Sequence, residues 1–148
     1  MPTDHRPAAP QDAFVHRFVV PASDVDELGH AGNVAWVRWI TEAAGAHSLA
    51  AGLDLAAYRA MGMLWIVRRH EIDYLVPALG GEAIEAFTWV VSLRGATSVR
   101  RTELCRARDG AVLARAATTW VLIDLASGAP RRIPAELLAR YGFKPRAT

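Results

Sequence analysis

The chain has 148 residues, the size of one domain, and with 52% hydrophobic and 22% charged residues its composition is that of an ordinary soluble globular protein. No apolar run approaches the ~20 residues of a membrane-spanning helix, and the polar start MPTDHRPAAPQD lacks the apolar core of a secretory signal, so membrane insertion is not expected. A net charge of only +2, with basic residues not clustered among aromatics, argues against a nucleic-acid partner, and the single Cys105 forms no intrachain disulfide, which makes the cytoplasm the expected compartment.

Residues 1–11 carry three prolines and few apolar side chains, and are expected to form a mobile tail ahead of a single domain spanning 12–148. AFVHRFVV (13–20) alternates Phe14, His16, Phe18 and Val20 against Val15, Arg17 and Val19, the period of a strand. A loop from 21 to 32 follows, holding Gly29 and Gly32. Residues 33–51 then read as a long helix with Asn33 as its N-cap. Its two charged residues, Arg38 and Glu42, are spaced i,i+4 on one stripe. The rest is apolar or small nearly all round, which predicts that something wraps it. DLAAYRAMG reads as a second short helix, with Asp54 as its N-cap and Gly62 as its stop.

Beyond Gly62 the pattern turns to strands. MLWIVRRHEIDYLVP, EAIEAFTWVVSL, TSVRRTELCRA and AVLARAATTWVLIDL are separated by turn signals at ALGG, Gly95 and RDG. PAELLARYG reads as a terminal helix with Pro134 near its first turn. On the first of these strands Leu64, Ile66, Ile72, Tyr74 and Val76 are expected on one face, interrupted by Arg68 and His70. One strand, a long helix and four hairpin-connected strands make an α+β chain, expected as a curled antiparallel sheet of about five strands around one long central helix.

Chemistry is most concentrated in SDVDELGHAGN. Acids before a helix are favoured by its dipole and free N–H groups, which by itself explains Asp24, Asp26 and Glu27 without any function. The functional reading notes that the same free N–H groups can polarise a carbonyl, that a carboxylate beside them can act as base or nucleophile, and that His30 adds a further titratable group. The five histidines are scattered, so no metal site is expected. With no phosphate loop, dinucleotide fingerprint or Gly-x-Ser-x-Gly elbow, no cofactor is expected either. Cys105 is read as a packing residue. His70 is read as a satisfied partner of Glu42 or a carbonyl, with substrate binding as its functional alternative. Of the 17 basic residues 16 are arginine. Arg94, Arg100, Arg101 and Arg131 lie at turns, as solvated charges or as phosphate holders.

DVDELGHAGNVAWVRWITEA resembles the signature of hot-dog-fold thioesterases of the 4-hydroxybenzoyl-CoA thioesterase family, and RRHEIDYLVPALGGE and TTWVLIDLASGAPRRIP look like that family's second and last strands. The likeness covers residues 13–141, with Gly32 where many members carry Asn and Trp36 where Tyr is common. It implies the hot-dog fold, assembly as a homodimer or tetramer with active sites between subunits, and an acyl-CoA substrate. It implies Asp26 as catalytic acid residue, acting as base or nucleophile, His30 and Asn33 beside the thioester, and Asp24 as a shaper of the loop. Arg94, Arg100, Arg101, Arg131 and His70 become candidate substrate-binding residues. An acyl-carrier-protein thioesterase, or a non-catalytic acyl-binding subunit, are the alternatives.

Overall fold

The structure is a computed structural model and describes residues 8–141. Residues 1–7 of the expected tail lie outside that range. The amides of Ala8 and Ala9 both donate to Glu103 Oε1 at 2.7 Å, so this end of the segment is tied to the sheet rather than free of it.

The elements run β1 (Phe14–Val19), α1 (Asn33–Ala50), α2 (Leu55–Ala60), β2 (Met63–Tyr74), β3 (Ala83–Arg94), β4 (Thr97–Arg106), β5 (Val112–Asp124) and α3 (Ala135–Arg140). The strands form one antiparallel sheet in the order β1-β3-β4-β5-β2, the α+β arrangement expected of a hot-dog fold. Hairpin turns link β3 to β4 and β4 to β5; Gly95 (φ 63°) and Gly110 (φ 73°) occupy the left-handed positions these turns need.

The sheet curls over α1. Ala35, Trp36, Trp39, Ile40, Ala43 and Ala44 recur at helical spacing and are buried against Val20, Ile84, Ala86, Leu104 and Leu113. Burying a side chain such as Ile40 contributes on the order of 2 kcal/mol. The alternation read for β1 holds: Phe14 stacks on His47, Phe18 packs at 5.0 Å on Trp39, and Val20 is buried. A second cluster of Leu53, Tyr58, Met63, Leu122, Ile133 and Leu137 joins α2 and α3 to the end of the sheet.

Three sequence expectations are corrected. The helix is not wrapped all round in a single chain. Val34, Arg38, Thr41, Gly45 and Leu49 form an exposed stripe, with Val34 80% and Leu49 65% exposed. Many positions that read as apolar were merely small, and one sheet covers only one side. The N-cap is Gly32, with Asn33 the first helical residue, because the Gly32 amide donates to the Asp24 carbonyl at 3.0 Å and holds residue 32 extended. In β2 the register shifts between Val67 and Arg69. An extra residue there reverses the alternation, so Leu64 and Ile66, paired with Ile123 and Val121, lie on the face opposite Ile72 and Tyr74, paired with Ala116 and Ala114, and the single face expected for them does not exist.

Candidate active site

The loop between β1 and α1 folds back on itself. Val25 and Ala31 form a bridge, the Asp26 amide donates to the His30 carbonyl at 2.8 Å, and the Gly29 amide donates to the Asp26 carbonyl at 3.0 Å. Gly29 sits at φ 77°, a conformation that L side chains rarely adopt. A second segment stitches the loop down, with the Ala31 amide on the Ala78 carbonyl and the Gly80 amide on the Gly29 carbonyl.

Within this frame Asp26 Oδ1 accepts the amides of Leu28 (2.9 Å) and His30 (3.1 Å). Oδ2 has no hydrogen-bond partner among the described residues, and the side chain is exposed. One oxygen therefore fixes the carboxylate while the other stays available. His30 and Asn33 lie on the same loop-to-helix junction, and their side chains bond to no described residue. No side chain caps α1. The first-turn amides of Asn33 and Val34 thus remain donors, the partial positive end of an 18-residue helix.

Asp24 has a different job. Its side chain is 7% exposed, accepts the Trp39 Nε1–H at 3.1 Å and is paired with the Arg38 guanidinium. Arg38 also reaches Glu42 at 3.4 Å, the i,i+4 pair read from the sequence. Asp24 anchors the loop to the helix. Leu28 (78% exposed), Val34 and Leu79 leave apolar surface around the junction.

The other candidate binding residues are dispersed. Arg94 is exposed at the Gly95 turn, and Arg101 is exposed in the middle of β4, opposite Trp89. Arg131 is half-buried and donates to the carbonyls of Met61 (3.2 Å) and Gly62 (3.5 Å), which ties the turn between α2 and β2 to the segment after β5. Arg100 is not on a rim: it is 5% exposed, on the inner face of β4. His70 Nδ1 meets Thr118 Oγ1 at 2.9 Å, and burial lowers its pKa; its partner is this hydroxyl and not Glu42. Cys105 is buried, its thiol pushed up to about 12 by burial and then by Glu103 and Glu85, consistent with packing. Among the described residues no group of three or more His, Cys, Asp or Glu is arranged to hold a metal ion, and no helix is long and apolar enough to cross a membrane.

A second constellation, at the opposite end of α1, escaped the sequence reading. Arg100 donates to His47 Nδ1 (2.9 Å) and to Thr88 Oγ1 (3.0 Å). Burial, reinforced by Arg100, lowers His47 to about 4, so its ring is a neutral acceptor. Tyr141 lies against His47, and its hydroxyl meets those of Ser48 (2.6 Å) and Tyr58 (2.8 Å); the latter accepts the Trp65 indole N–H (3.0 Å). The alternation of β4 carried part of this signal, since Arg100 shares a parity with Ser98, Thr102 and the core residue Leu104. Only the third dimension brings His47 and Tyr141 to it.

This curled sheet on a long helix, with a carboxylate loop at the helix N-terminus, defines a hot-dog-fold thioesterase architecture. Residues 11–141 match the family model for the acyl-ACP thioesterase N-terminal domain, and the chain belongs to that family. No curated protein matches it by sequence. Solved structures share the fold. A 1,4-dihydroxy-2-naphthoyl-CoA thioesterase from Synechocystis is 20% identical, over 88% of this chain and 96% of that one, with a TM-score of 0.80. A thioesterase-superfamily protein from Jannaschia sp. CCS1 is 21% identical, over 90% and 94%, at 0.82. A protein described as an oleoyl thioesterase from Lactobacillus plantarum is 21% identical at 0.84; 93% of this chain is covered but only 56% of that one. The hot-dog thioesterase assignment rests on these matches; the family matched is the acyl-ACP one, where the loop signature had suggested the 4-hydroxybenzoyl-CoA group.

Proposed function

We propose that the chain hydrolyses an acyl-CoA thioester to the free carboxylic acid and CoA, with Asp26 as the base. The observation that carries this reading is the Asp26 carboxylate, held by two amides through one oxygen and open at the other, just ahead of an uncapped helix N-terminus. Oδ2 takes a proton from water as the water oxygen adds to the thioester carbonyl. A first-turn amide, at Asn33 or Val34, donates a hydrogen bond to the developing oxyanion. Collapse expels the thiolate, which recovers the proton. A thioester is electrophilic enough that one base and one polarising N–H suffice. His30 and Asn33 flank the reacting carbonyl and position it.

The family match favours a second reading, in which the acyl group arrives on acyl-carrier protein. Two of the four arginines first considered for CoA phosphates, Arg100 and Arg131, are engaged inside the fold. That leaves Arg94 and Arg101 as the exposed candidates. We further propose that the working form is a homodimer, or a dimer of dimers. Strand β2 is a sheet edge, hydrogen-bonded only to β5, with Ile66 and Val67 exposed, and such an edge is normally paired or covered. A second copy would also cover apolar surface at Leu28, Val34 and Leu79.

The test is thiol release across matched panels of acyl-CoA and acyl-carrier-protein thioesters. Hydrolysis of CoA esters supports the first reading, and activity confined to the carrier-protein panel supports the second. No turnover on either panel, by a folded protein, would overturn the enzyme reading in favour of a non-catalytic acyl-binding subunit.

A further inference from the structure

A cavity of about 390 Å³ opens between the C-terminal half of α1, α2 and the inner face of the sheet. It lies about 22 Å along the helix from the Asp26 loop, taking 1.5 Å per residue from Asn33 to Ser48. Its walls are apolar: Ala44, Leu49, Leu53, Leu64, Val90 and Leu93. Leu49 and Leu55, both exposed, mark its mouth.

Two features of the lining are out of keeping with an apolar pocket. Arg100, 5% exposed, brings a full positive charge into it, yet its hydrogen bonds go to neutral His47 and Thr88, and no carboxylate among the described residues pairs with it. Burial lowers its pKa, and the group stacked on its guanidinium, at 5.8 Å, is the Tyr141 ring, not a carboxylate. The Nε1–H of Trp120, which also lines the cavity, is buried and has no acceptor among the described residues. Register puts these donors together: Arg100 stands opposite Thr118 and Ser98 opposite Trp120, so guanidinium and indole are diagonal neighbours on one face of β4 and β5. Asp54 is the one acid on the lining, and its Oδ1 is occupied by the Ala57 amide at the start of α2. A buried charge without a counter-charge and a buried donor without an acceptor are each costly, and one anionic acceptor would relieve both.

We infer that this cavity binds an apolar chain or ring bearing a carboxylate, with the carboxylate on Arg100 and Trp120 Nε1 and the apolar body against the leucines. Two sources share this chemistry: a free carboxylic acid, or the far end of an acyl group that itself ends in a carboxylate. The inference is one of binding and does not depend on Asp26 catalysis.

Trp65 and Trp120 line the cavity, so their fluorescence reports occupancy. Titrating the full-length protein with octanoate and with octan-1-ol compares one apolar body with and without the charge. Octanoate should bind about tenfold or more tightly, the usual worth of a charge-assisted hydrogen bond. Arg100→Met should abolish that preference while octan-1-ol still binds, and Trp120→Phe should reduce it severalfold. Equal binding of the two ligands by wild type, or a preference that survives Arg100→Met, would overturn the inference. If Arg100→Met does not fold, the wild-type comparison and Trp120→Phe decide it. In the Asp26→Asn background, displacement of octanoate at lower concentration by 17-carboxyheptadecanoyl-CoA, whose acyl chain is long enough to span the ~22 Å from the Asp26 loop, than by octadecanoyl-CoA would identify the acyl-end source. Displacement by neither would identify the free acid.

Discussion

Asp26 Oδ1 accepts the backbone amide of His30 at 3.1 Å, a contact that closes the loop and leaves the second carboxylate oxygen open. Asparagine can make the same contact through its own Oδ1 but is not a base. Asp26→Asn should therefore keep its melting temperature and oligomeric state while kcat falls about 10²–10⁴-fold, the usual cost of losing a general base. Steady-state kinetics beside a melting curve check this; turnover within a few-fold of wild type would remove Asp26 from the mechanism.

Asp24, two residues earlier, should behave in the opposite way. Asp24→Ala leaves the Trp39 indole without its acceptor and the Arg38 guanidinium with Glu42 alone. We expect a loss of about 1–3 kcal/mol of stability, seen in chemical denaturation, with kcat reduced far less than in Asp26→Asn at temperatures where the variant is folded.

The His47–Arg100 contact makes stability depend on pH. Burial, and then the Arg100 charge, hold folded His47 at about 4, below the ordinary 6.5 of a histidine. Above pH 6.5 the ring is neutral in both states and costs nothing. Between 6.5 and 4 the unfolded chain binds a proton that the folded chain refuses, so stability falls as pH falls. His47→Gln keeps an acceptor for Arg100 and removes the titration. Its melting temperature should drop less between pH 7 and pH 5 than that of wild type; equal drops would show that His47 is not the group responsible.

If CoA is the carrier, Arg94 and Arg101 are the exposed cations left to meet its phosphates. The double Ala variant should raise KM with kcat nearly unchanged, more at low salt than at high salt because exposed phosphate contacts are screened. Arg131→Ala should instead lower the melting temperature, since it removes donors from the Met61 and Gly62 carbonyls. An unchanged KM in the double variant would favour the carrier-protein reading.

Light scattering at micromolar concentration should give a dimer or tetramer of the 16.1 kDa chain. Ile66→Lys, which places a charge on the β2 edge, should shift it toward monomer. A stable wild-type monomer would exclude the edge-paired assembly.

The order of elements, the inward parity of β1, the Arg38–Glu42 pair and the carboxylate loop ahead of the helix were all legible in the sequence. Each depends on residues near one another in the chain, where periodicity and capping chemistry operate. What the sequence could not carry was anything set by long-range register. One extra residue in β2 puts Leu64 and Ile66 on the face opposite Ile72 and Tyr74. Arg100 reads as a turn-flanking charge until β4 is laid in the sheet, where His47, 53 positions away, accepts its hydrogen bond and Tyr141 closes over both. The difference between Asp24 as anchor and Asp26 as open carboxylate is likewise tertiary, because it depends on which of the two reaches Trp39 and Arg38 on the folded helix. Local pattern determines which elements form; which side chains share a cavity is decided only when strands distant in sequence pair, since a side chain's neighbours across a sheet are fixed by register and not by spacing.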